Sequence, residues 1–432
     1  MEFSQLILLE VYQYESSDRV TYIKPETVSN QSSSVKQILI QGFSAAQRQN
    51  WLEVSNQLQL LPQSKTEFLL TGEDWHRALD LGLTILTQAD FQHKWAVAKI
   101  LPLFGVKIVP LLCTLVLDET VEAEVRWFSC KILGKFPEQA VLTLVKLLQQ
   151  TTDSELIAIA GKTLIEIGDR AIDALVDLLS QPEHRLLAVR SLSYIRTASS
   201  IAPLLQVASD PDPQLRTIAI KALGSFHDRR VPPILVTALQ DKASSVRKEA
   251  AIALGFRPDL CQELNLVAGL KPLLYDLNLE VCRQAAISLG RMKQNAANTA
   301  LFEVLQAHTT PESLKFDLVR ALSWSAIASG ISYLYQALTD ASEPVIQEII
   351  TTLGRTSTPE LKPQAARLLL DFWQNRDCQY SPQTKQNLAT SLGELRDNST
   401  RQVLQQLASD SDRKVKLHAS CALKKLSYLS KI

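Results

Sequence analysis

Val246-Arg247-Lys248-Glu249-Ala250-Ala251-Ile252-Ala253-Leu254-Gly255 decides the fold. Its apolar residues fall nine, five and one positions before the Gly, the spacing of one helix face. Asp241 stands six residues before the Arg, and the Gly is expected to end the helix. Leu215-Arg216 to Leu223-Gly224 and Val125-Arg126 to Leu133-Gly134 keep the same eight-residue step from Arg to Gly. Taking the Gly as an index, weaker copies align at Ile165, Ser193, Gly290, Ser323, Gly354, Gly393 and Lys424, with a marginal one at Pro102. Half of the successive indices lie 31 residues apart, and all lie between 28 and 39, so one unit recurs along most of the chain.

Between indices lies a second amphipathic stretch with Pro near its start, as in Val109-Pro110, Ile201-Ala202-Pro203, Val231-Pro232-Pro233 and Leu270-Lys271-Pro272. Pro fits a first helical turn, where its missing N–H is not needed. Two such helices make a hairpin that buries its apolar face only by stacking on neighbours. The expectation is all-α: an α-solenoid of about ten or eleven hairpins over residues 93–432, behind a non-repeat region at 1–92. Composition agrees: 14 Gly and 18 Pro in 432 residues are too few for a turn-dense β-fold. Asp210-Pro211-Asp212-Pro213 and the turn from Asp340 to Pro344 are expected to cap second helices.

These copies resemble HEAT repeats, particularly the short kind named after phycobilin lyases, whose pattern looks like Val-Arg-x-x-Ala-Ala-x-Ala-Leu-Gly. The resemblance covers roughly residues 93–430 and is sharpest at Gly134, Gly224, Gly255 and Gly290. It implies a binding role in many cases and, in the E/F-type phycobilin lyases, action on bilins and phycobiliproteins.

Residues 1–92 follow another pattern. Leu6 to Tyr14 and Arg19 to Ile23 are read as a β-hairpin, and Asn30 to Ser34 as a loop. Two capping helices follow, Ala45 to Leu61 and Trp75 to Thr87, the latter opened by a capping box at Thr71-Gly72-Glu73-Asp74. Asn375 to Pro382 interrupts the repeat later on. No early apolar run is long enough for a signal peptide or a transmembrane segment. Six scattered cysteines without a CxxC pair read as reduced thiols, and a cytoplasmic location is expected.

For chemistry the yield is thin. There is no Gly-rich phosphate loop, HExxH or GxSxG, and the six His are isolated, so no catalytic residue or metal set is assigned. His418 and Cys421 share a helix face, and Cys282 stands where better repeats carry Arg, at a helix start that would lower a thiol pKa. Arg126, Arg185, Arg216 and Arg247, eight before the index, are read as structural ties to the Asp turn of an adjacent repeat. Ile157 and Ile346 interrupt that register.

Three before the index, five successive repeats place Lys99, Lys131, Lys162, Arg190 and Lys221. At a helix spacing of about 8–10 Å these would run along the surface made by the second helices. Beside them Trp95, Trp127, Phe128, Ile159, Leu186 and Leu187 supply apolar surface. The competing reading is that the cations complement helix dipoles and the Trp residues pack between repeats.

Two functions follow. The first is a protein-protein interaction scaffold holding an acidic, apolar partner, such as a phycobiliprotein or antenna component, in a groove of Trp95, Lys99, Trp127, Phe128, Lys131, Lys162, Arg190 and Lys221. The alternative, implied by the resemblance, is a phycobilin lyase or bilin chaperone with a linear tetrapyrrole as substrate, its propionates on the cations and its rings on the Trp pair. No other cofactor is expected. With 45 basic and 45 acidic residues the net charge is zero, which argues against nucleic acid as a partner.

Overall fold

The computed structural model describes residues 31–61, 72–374 and 380–429, and the β-hairpin, Thr71 of the capping box and Cys378 lie outside them. The protein is an all-α solenoid, with no strand among the described residues. It divides into two compact units, Met1–Pro203 and Leu204–Ile432.

Each indexed copy is a helix, and its apolar face is core. In Ser244–Gly255, Val246, Ala250 and Leu254 are at most 1% exposed, and Val281, Ala285 and Leu289 repeat this in Leu279–Arg291. Within the second unit each second helix packs on the next, from Pro213–Leu223 through Ser244–Gly255, Leu279–Arg291, Glu312–Trp324, Glu343–Gly354 and Pro382–Leu395 to Arg413–Leu429. First helices such as Val231–Ala238 and Asn295–Gln306 close each hairpin. Asp212 caps its second helix as expected, accepting from Gln214 N–H at 2.8 Å, and Asp412 caps the last one by accepting from Lys414 N–H at 2.8 Å. Ser342, by contrast, heads Glu343–Gly354 without a side-chain cap, and its hydroxyl donates to Glu312 of the preceding repeat.

The index Gly does not act as a left-handed cap. Gly134 and Gly224 have φ of −56° and −57°, ordinary right-handed values. Their role is close approach: a Cβ on Gly224 would stand 2.6 Å from Ala253 Cβ, and one on Gly290 would stand 2.6 Å from the Ala321 carbonyl oxygen. Each contact falls two residues before the next index, so the glycine lets adjacent second helices meet backbone to backbone.

The first unit follows the same stacking. Gln31–Gln47 pairs with Trp51–Gln59, and these two touch Gly72–Gln88 and Phe91–Ile100 respectively. Two expectations are corrected here. Residues 31–34 are helical rather than loop, being the first turn of an apolar-periodic helix. The helix expected from Ala45 to Leu61 is broken after Gln47, where Gln49 takes φ 58° and Asn50 caps the next helix by accepting from Glu53 N–H.

Arg216 and Arg247 tie repeats together as expected. Arg216 donates through Nε and Nη2 to both carboxylate oxygens of Asp241 at 2.8 Å, and through Nη1 to the Asp210 carbonyl at 2.7 Å. Arg247 repeats this one step on, with Asp276 at 2.6 and 2.8 Å and the Asp241 carbonyl at 2.7 Å. Each Asp also accepts the N–H two residues on, fixing its own turn. The Arg247 hydrogen bonds hold the Asp276 carboxyl below the usual carboxylate range, against the cost of burial. Arg126 departs from the rule: buried at 7% exposure, it donates from Nε to the Val116 carbonyl at 3.0 Å rather than to an Asp.

Candidate functional site

In the first unit, Phe91–Ile100 and Ala123–Leu133 are adjacent second helices. Trp95 and Trp127 occupy the same register on them, so their rings meet, with centroids 6.3 Å apart and planes at 30°. Lys131, one turn beyond Trp127, reaches back across the step. Its Nζ lies 4.1 Å from the Trp95 ring centroid and 5.8 Å from that of Trp127, a cation over an aromatic face.

Phe91 completes the cluster, stacked on Trp95 at 6.2 Å and 22° while remaining 45% exposed. The sequence reading passed it over, although it stands four residues before Trp95 and therefore on the same helix face. A half-exposed Phe on two half-buried indoles is apolar surface that a solvated face has no use for.

Lys99 and Arg190 are exposed, and Lys162 is half-exposed with Glu166 at 3.9 Å, a solvated pair of little strength. Lys221 lies in the other compact unit and is not part of this site. Phe128 is corrected too: fully buried, it packs beneath Phe91 with centroids 5.2 Å apart. One residue turns a helix by about 100°, so the register of Trp127 faces outward and that of Phe128 and Ile159 faces the core.

Lys94 was likewise missed. It is only 3% exposed and donates to Glu124, with Glu122 at 3.7 Å. It stands eight before Pro102, the register of the structural Arg, and does the same work with an ammonium.

The cysteine candidates dissolve. Cys282 is buried, donates to the Asp276 carbonyl at 3.1 Å, and has its thiol pushed up by burial rather than lowered. His418 turns to Thr390, with Nδ1 2.8 Å from the hydroxyl, while Cys421 is exposed. No single helix among the described residues is long and apolar enough to cross a membrane.

A family model described as HEAT repeats matches residues 109–193 and 172–255. Residues 109–255 of the chain are HEAT repeats. It is 28% identical over 160 residues to the uncharacterised phycocyanin operon protein Z of Pseudanabaena tenuis, an alignment covering 36% of this chain and 78% of that protein. Among solved structures, the chain is similar to Kap121p bound to Pho4p, with 14% identity over 98% of this chain and 57% of that one, at a TM-score of 0.43. It is also similar to human deoxyhypusine hydroxylase, with 22% identity over 63% of this chain and 99% of that one, at a TM-score of 0.27.

Proposed function

We propose that this protein is an interaction scaffold that holds an acidic, apolar-faced protein on the cluster of Phe91, Trp95, Trp127 and Lys131. The observation that carries this reading is the Lys131 ammonium seated on an indole beside an exposed Phe. Such a surface offers aromatic anchors together with a cation whose charge a partner carboxylate would meet. Lys99, Lys162 and Arg190 extend positive charge along the second helices of the same unit. The relative from a phycocyanin operon supports a phycobiliprotein as the partner.

Changing Lys131→Glu together with Lys162→Glu is expected to weaken binding of phycocyanin by at least about tenfold, measured by calorimetry, with the circular dichroism spectrum unchanged. Equal affinity in the double variant would remove the site from consideration.

A second reading has one observation behind it. The near-parallel Phe91 and Trp95 rings beside a cation suit a flat, anionic tetrapyrrole, which is the bilin chaperone or lyase alternative. Visible absorption of a free linear tetrapyrrole titrated with the same pair of proteins separates the readings. A saturable shift lost in the double variant favours the bilin, and its absence beside intact phycocyanin binding favours the scaffold.

A further inference from the structure

In the second unit a different register carries exposed chemistry. The residues one after the index on four successive second helices are Phe256, Arg291, Trp324 and Arg355, an aromatic and a guanidinium in alternation. The structure joins them in pairs. The Arg291 guanidinium carbon lies 4.4 Å from the Phe256 ring centroid, and Phe256 is 64% exposed. Two repeats on, Trp324, 49% exposed, and Arg355 line one recess of about 440 Å³ with Arg320, Glu348, Thr352 and Ser357.

Arg320 in that recess is already neutralised by Glu348, 2.7 Å away. Arg355 has no side-chain partner among the described residues, and neither it nor Arg291 is paired with a carboxylate. Complementing a helix dipole accounts for a cation at a helix end but not for an exposed aromatic in the same register. The pattern therefore has a period of two repeats: apolar, cationic, apolar, cationic.

We infer that this ladder binds an extended acidic polypeptide segment in which apolar and acidic side chains alternate about every third residue. Second helices about 8–10 Å apart match one turn of a polyproline II segment, about three residues at about 3.1 Å each, which brings every third side chain to the same face. An acidic side chain would meet Arg291, the next apolar one would lie on Trp324, and the next acidic one would enter the recess at Arg355. A nucleic-acid strand fits less well. It carries a charge on every nucleotide, whereas the unpaired cations here are two rungs apart and the chain's net charge is zero. This inference is independent of the site in the first unit.

The test uses the full chain and fluorescence anisotropy of a labelled synthetic peptide of about twelve residues, with Leu and Glu alternating every third position on a Pro/Ser background that favours polyproline II. Saturable binding is expected, weakened at least about tenfold by Arg291→Glu with Arg355→Glu and about fivefold by Trp324→Ala. A peptide of the same composition with its Leu and Glu residues clustered is expected to bind several-fold more weakly. The inference is overturned by a Kd above about 1 mM, by equal binding of the clustered peptide, or by unchanged affinity in the folded variants. Tighter, steeply salt-dependent binding of an oligothymidylate would overturn it in favour of a nucleic-acid strand.

Discussion

At the residue scale, the index glycines show how a repeat signature encodes contact rather than conformation. A methyl group on Gly290 would press on the carbonyl oxygen and Cα of Ala321, and backbone cannot step aside as a side chain can. Gly290→Ala is therefore expected to cost about 1–3 kcal/mol despite the better helix propensity of Ala. Gly72→Ala, with nothing within 4 Å of the new methyl, is expected to be neutral or slightly stabilising. Urea melts of the two variants check this, and an undisturbed Gly290→Ala protein would disprove the close-approach reading. Register was legible in the sequence and side-chain environment only partly so. Phe128 looked like a neighbour of Trp127 on a groove, yet one position of rotation put it in the core. Cys282 looked like an exposed thiol at a helix start, yet it is buried and turned to the Asp276 carbonyl.

At the scale of elements, the carboxylates of Asp241 and Asp276 both shape their own loops and receive the guanidinium of the preceding repeat. This arrangement was legible because Asp and Arg recur at fixed offsets from the index. The variant at Lys94 was hidden by a degenerate index at Pro102. The sign of the pH dependence follows from the Asp276 carboxyl, whose pKa in the folded protein is lowered from 3.8, chiefly by Arg247. Its stabilisation is present above pH 3.8 and is lost as pH falls through the folded value. Asp276→Asn is thus expected to be less stable than the parent at pH 7 by roughly 3 kcal/mol. The difference should shrink below about pH 4, as read from urea melts at each pH. A gap that stays constant on acidification would show that the ion pair contributes nothing specific.

At the scale of the whole molecule, stacked repeats communicate through nearest neighbours, so damage should stay where it is made. The tryptophans make this measurable. Trp51, Trp75, Trp95 and Trp127 lie in the first unit, and Trp324 and Trp373 in the second. With Trp324→Phe and Trp373→Phe as background, Asp276→Asn is expected to lower the urea midpoint seen by helix ellipticity and to leave the tryptophan midpoint unmoved. A coincident shift of both signals would mean that the two units melt as one.

The charge ties also change track along the second unit. Through Arg216 and Arg247 they stitch the turns together, but Cys282 reaches only the carbonyl of its own loop. From there Arg283 meets Asp317 at 3.2 Å and Arg320 meets Glu348 at 2.7 Å, ties that run between helix faces instead. In mechanical terms this part of the stack is a strip sewn along its edge, then along its middle, and at its edge again where Lys385 donates to Asp410 at 2.8 Å. Bending that opens the turn edge is therefore expected to meet less resistance just past Cys282, where the edge seam is interrupted, than at Arg216 and Arg247.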